Sequence, residues 1–153
     1  LDLENKKIFT MDKYIKDSFL VHINNITKIE IFKAYEEKYI YITVPENEII
    51  IGVNKYNQIV SYYNAYIKKI NENFLIFNKT IEEITLPNVK KIGPYFLFYN
   101  DSLKKLYAPN LEKVGSCFLL YEYSLEEVVA PLLKSHVHKK KKEKKIWKMN
   151  LYL

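Results

Sequence analysis

His136 and His138 stand two residues apart in "SHVHKKKK", a spacing that puts both imidazoles on one face of a strand. Such a pair can begin a metal site, but a site needs further ligands. No cysteine pair or carboxylate cluster follows at metal-ligand spacing, and His22 is remote in the chain. The single Cys117 lies beside Phe118 in an apolar run, the setting of a buried thiol rather than of a nucleophile. The chain has no glycine-rich phosphate loop, no paired-carboxylate motif and no serine–histidine–aspartate set, and it holds only 3 glycines. These residues predict no enzyme, no cofactor and no bound metal. What remains able to act is charge and aromatic surface. The formal charge is +6, and every basic residue is lysine. Without arginine the bidentate guanidinium contacts that read bases are missing, which argues against sequence-specific nucleic-acid recognition. Aromatic residues make up 15% of the chain, 14 of them tyrosine.

Those groups must be positioned by something, and the chain repeats itself. "SLKKLYAP" at Ser102 returns as "SLEEVVAP" at Ser124, 22 residues on. Extended without gaps, "IEEITLPNVKKIGPYFLFYNDS" lies over "LKKLYAPNLEKVGSCFLLYEYS". The apolar columns agree: Ile81, Leu103 and Leu125; Ile84, Leu106 and Val128; Val89, Leu111 and Leu133. Pro87, Pro109 and Pro131 form a further column, as do Gly93 with Gly115, Phe74 with Phe96 and Phe118, and Asn78 with Asn100. A far copy begins at Tyr14, and "YITVP" ending at Pro45 echoes "EITLP" ending at Pro87.

A 22-residue period excludes long helices, because proline and glycine recur too often. It suits short parallel strands that gain hydrogen bonds only by stacking on the next repeat. The expected fold is therefore mainly β with irregular or short helical turns, a solenoid of stacked parallel strands. Prolines should close the first strand of each repeat. Glycines should follow the second, where a positive φ is expected. The clearest repeats are 59–80, 81–102, 103–124 and 125–138, within a solenoid over 1–138 that is irregular at 32–58. A helix is expected only near Thr10–Phe19 and in the tail. The basic segment 139–153, ending in the apolar Ile146, Trp147, Met149, Leu151 and Leu153, reads as a tail or an end cap.

Ser102, Leu103, Leu106, Pro109, Leu111, Val114, Gly115 and Phe118 resemble the pattern of leucine-rich repeats of the BspA-like (Treponema-type) subfamily. The likeness covers about half the chain well. Glu122 departs from it, standing where Asn78 and Asn100 predict asparagine. The resemblance implies an interaction scaffold, often displayed on bacterial surfaces or secreted towards hosts. It also implies a protein partner, masked by surface contact.

Stacking in register turns residues 22 apart into neighbours at about 4.8 Å. Glu82, Lys104 and Glu126, and beside them Glu83, Lys105 and Glu127, then alternate in sign and support the register. Thr85, Tyr107 and Val129 form a contact strip on the first sheet, the leading candidate for partner binding. Lys69, Lys91 and Lys113 form a like-charged row on the second strand. With the basic tail, that row offers the alternative: an acidic protein, nucleic acid or an anionic surface. A third possibility is a structural piece of a longer array.

No apolar run approaches the roughly 20 residues of a membrane span. One cysteine favours a reducing compartment. A first residue that is leucine rather than methionine leaves a cytoplasmic and a secreted or surface location both open. The abundance of lysine, isoleucine, asparagine and tyrosine fits AT-rich coding.

Overall fold

The computed structural model describes residues 28–34, 36–44, 47–133 and 146–149. The helix expected at Thr10–Phe19, most of the far copy from Tyr14, the three histidines and the Lys139–Lys145 block lie outside the described residues. Every regular element among the described residues is a strand. None forms a helix long and apolar enough to cross a membrane.

The chain enters as an antiparallel meander of β1 (Lys28–Ala34), β2 (Glu37–Val44), β3 (Asn47–Val53) and β4 (Ile59–Asn64). The stretch that the repeat leaves irregular is thus made of hairpins. The first four residues of "YITVP", Tyr41 to Val44, belong to β2, which pairs antiparallel on both sides, so the echo of "EITLP" is one of composition and not of position. The β3–β4 turn is set by Asn54, whose Oδ1 accepts from the N–H groups of Tyr56 (2.9 Å) and Gln58 (3.0 Å). Asn57 takes the left-handed conformation there, which its short polar side chain tolerates.

From β4 onward the chain coils. Each turn of about 22 residues lays one strand in a first sheet and a shorter one in a second. β4, β6 (Glu83–Thr85), β8 (Lys105–Tyr107) and β10 (Glu127–Ala130) pair in parallel, aligning Tyr62, Ile84, Leu106 and Val128. β5 (Lys69–Ile70), β7 (Lys91–Ile92) and β9 (Lys113–Val114) form the second sheet. β11 (Ile146–Met149) runs parallel along β10, so these four residues of the tail cover the sheet edge that β10 would leave open. They form a strand, not a helix.

The core is built from the repeat columns. Ile81, Leu103 and Leu125, and with them Val89, Leu111 and Leu133, are buried. Phe74, Phe96 and Phe118 stack with centroids 5.5 and 5.7 Å apart, and Tyr62 continues the column at 5.6 Å. Burial pushes the Tyr62 phenol above the ordinary tyrosine range, and its oxygen accepts from Asn64 Nδ2 (2.6 Å). Each such side chain contributes roughly 1.5–3 kcal/mol on burial.

Polar ladders fix the turns. Asn78 Oδ1 accepts from the N–H groups of Thr80 and Ile81, and Asn100 Oδ1 from those of Ser102 and Leu103. The Asn100 amide also donates to the carbonyl of Asn78 one coil below (2.8 Å). Glu122 occupies the same place, 1% exposed. A second ladder crosses the proline corner, where Asn88 and Asn110 donate to the carbonyls of Ala65 and Pro87.

Neither Gly93 nor Gly115 has a positive φ, contrary to the expectation from their position. They are needed for contact instead. A Cβ on Gly93 would lie 2.8 Å from the Glu72 backbone nitrogen, and one on Gly115 only 2.4 Å from that of Pro94. The coils approach too closely there for any side chain.

Candidate interaction surface

Each coil presents three sides, and each side carries a different surface. On the first sheet, Thr85, Tyr107 and Val129 are direct register partners, with Tyr63 preceding them on β4. Tyr107 is exposed, while Thr85 and Val129 are half-buried. Glu83, Lys105 and Glu127 pair beside them in register, and Lys104 Nζ lies 3.5 Å from Glu82 Oε1. Charge on this side alternates in sign from one coil to the next.

The second sheet is different. Lys69, Lys91 and Lys113 are register partners and all are exposed. Lys68 and Lys90 precede two of them, and Glu112 precedes the third. At the β5 end a shallow recess of about 530 Å³ is lined, among the described residues, by Tyr66, Ile67, Lys68, Lys69 and Asn71. Among the described residues no histidine, cysteine, aspartate and glutamate side chains gather as a metal site.

The third side follows the corner that is Gly93–Pro94 in the middle coil, here called the Gly–Pro corner, with Asn71–Glu72 and Gly115–Ser116 at the same place in its neighbours, and it was not singled out from sequence. Its backbone takes a positive φ at every second residue: Asn73, Leu75 and Phe77 in one coil, Tyr95, Leu97 and Tyr99 in the next, Cys117, Leu119 and Tyr121 in the third. Hydrogen bonds between coils hold this conformation. The N–H of Asn73 reaches the Pro94 carbonyl (2.9 Å), that of Leu97 the Phe74 carbonyl (2.9 Å), and that of Phe77 the Phe98 carbonyl (2.8 Å). Leu75, Leu97 and Leu119 point inward and are fully buried.

Phe77, Tyr99 and Tyr121 do not. They are 53%, 57% and 58% exposed. Phe77 and Tyr99 stack at 5.3 Å with planes 13° apart, so their outward edges form a row along the solenoid. Phe98 packs against Tyr99 (4.2 Å) and against Tyr95 (5.2 Å), and Tyr121 meets the exposed Tyr123 at 6.0 Å. The result is a broad aromatic surface along one side of the coils. Its signal was present as a 22-residue column of aromatics, but only the turn conformation shows that the column faces out. The fold is a repeat solenoid; no family model matches the sequence, and no curated protein does either.

Proposed function

We propose that this chain is a non-enzymatic protein–protein interaction module that binds and masks a partner by surface contact. A secreted, surface or effector-type role would fit the BspA-like leucine-rich-repeat reading, which the repeat residues support by resemblance. The observation that carries the proposal is the exposed row of Phe77, Tyr99 and Tyr121 on a solenoid side. Aromatic side chains are enriched at interfaces because a ring brings a large contact area with few rotatable bonds. Tyr107, with Thr85 and Val129, supplies a smaller strip on the first sheet.

A photo-crosslinking residue placed in turn at Tyr99 and at Tyr107 tests this in native extract. Capture of one defined protein from either position, and not from the exposed Lys55, supports the module and identifies its face. Equal, diffuse capture from all three positions overturns it.

The in-register lysine row favours a second reading, an anionic partner such as nucleic acid or an acidic surface, held by Lys69, Lys91 and Lys113. Counterion release gives that mode a steep loss of affinity with salt, whereas apolar protein contact gives a shallow one.

A further inference from the structure

The aromatic row carries two costs that burial of its own side chains offsets only in part. A non-glycine residue in the left-handed region costs roughly 1–2 kcal/mol, and asparagine or glycine carries less of that penalty. Leu75, Leu97 and Leu119 offset it by complete burial of their side chains. Phe77, Tyr99 and Tyr121 share the conformation but leave more than half of their surface in water. The Phe77–Tyr99 stack recovers part of this for one pair. Large rings thus occupy three successive positions where the backbone favours asparagine and where the core gains little from them. An outlier of this kind points to a purpose outside the fold.

The lysine row adds the chemistry of the partner. Lys91 and Tyr95 are separated only by Ile92, Gly93 and Pro94, so their Cα atoms are within about 14 Å. Tyr95 is thus the ring next to the lysine row, its column neighbours being Asn73 and Cys117, and the column of Phe77, Tyr99 and Tyr121 follows four residues further along each coil. The first sheet, by contrast, alternates glutamate and lysine from coil to coil, with Lys104 paired to Glu82.

Resting on the protein-binding reading, we infer that the partner is an acidic polypeptide segment with aromatic or aliphatic side chains. It lies across the Gly–Pro corner, with carboxylates on Lys69, Lys91 and Lys113 and apolar groups on Tyr95, Tyr99 and Tyr121. Neither row suffices alone. The lysines attract any polyanion, and the rings select the one that also has apolar groups to bury.

The test uses the full chain with four probes: a random glutamate–tyrosine copolymer, polyglutamate of matched length, heparin and duplex DNA. At physiological salt the copolymer should bind about tenfold more tightly than polyglutamate. Tyr99→Asn with Tyr121→Asn should abolish that advantage and leave polyglutamate binding unchanged. Lys91→Gln with Lys113→Gln should weaken both. Asparagine suits the left-handed backbone and so offsets part of the lost ring contacts, and the double variant should still fold. If it fails to fold, Tyr99→Gly makes the same comparison. Equal affinity for all four probes, insensitive to Tyr99→Asn, overturns the inference and leaves the lysine row acting alone. Absence of binding to every probe also overturns it, while crosslinking from Tyr99 or Tyr107 separately decides the broader interaction reading.

Discussion

Asn100 is buried between two coils, 1% exposed. Its side chain accepts two backbone N–H groups and donates to the coil below, so it closes its own turn and spaces its neighbour. Asn100→Ala removes these partners from a buried site and should cost about 2–3 kcal/mol, read from a denaturant melt. Glu122 stands at the next rung, where an ionisable carboxyl replaces an amide in a buried place. Glu122→Asn restores the amide that Asn78 and Asn100 use and should raise stability by about 1 kcal/mol, seen as a higher melting temperature. That departure was legible in sequence, because the column was. The role of Gly93 and Gly115 was not. A recurrent glycine signals either a positive φ or a close approach, and only coordinates separate the two. Here the left-handed conformation falls instead on leucine and aromatic residues, which no residue preference would suggest.

At the scale of strands, the three lysines of β5, β7 and β9 repel one another across the ladder, and nothing between them changes the sign. Lys91→Glu would give the central strand an attractive neighbour on each side. A gain of a few tenths of a kcal/mol is expected, together with weaker polyanion binding. A melting curve and a binding titration on the same variant separate the two effects. Gly115→Ala tests the neighbouring corner. Its Cβ would meet backbone and not a flexible side chain, so relief requires the coils to move apart, at about 1–3 kcal/mol or more. The parallel strands were legible because proline and apolar columns return every 22 residues. The meander was not, since β1 to β3 share the β-forming residues of the repeat but pair by hairpin reversal. "YITVP" shows how composition can imitate a repeat whose hydrogen bonds run the other way. The aromatic row escaped for a related reason. Its segment follows neither a period of 2 nor one of 3.6, so no face rule assigns its residues to core or solvent.

Across the whole molecule, stability should behave as a chain of neighbouring contacts. Each coil touches only the coils beside it, as in other solenoids. The antiparallel meander abuts one end, and β11 lies along β10 at the other. The phenylalanine column measures this directly. Phe96 stacks on Phe74 at 5.5 Å and on Phe118 at 5.7 Å, so its loss opens a gap between two coils at once. Phe96→Ala should cost about 3–5 kcal/mol, the usual range for a buried phenylalanine. Phe118 has this stacking on only one side among the described rings, so Phe118→Ala should cost less. Hydrogen exchange adds position to the magnitude. Phe118→Ala should speed exchange in residues 103–133 and leave β1 to β4 protected, because the break lies between the last coils. Phe96→Ala should loosen residues 81–133 together. Uniform loss of protection across all strands in both variants would instead show one cooperative unit, in which the meander and the coils cannot open separately.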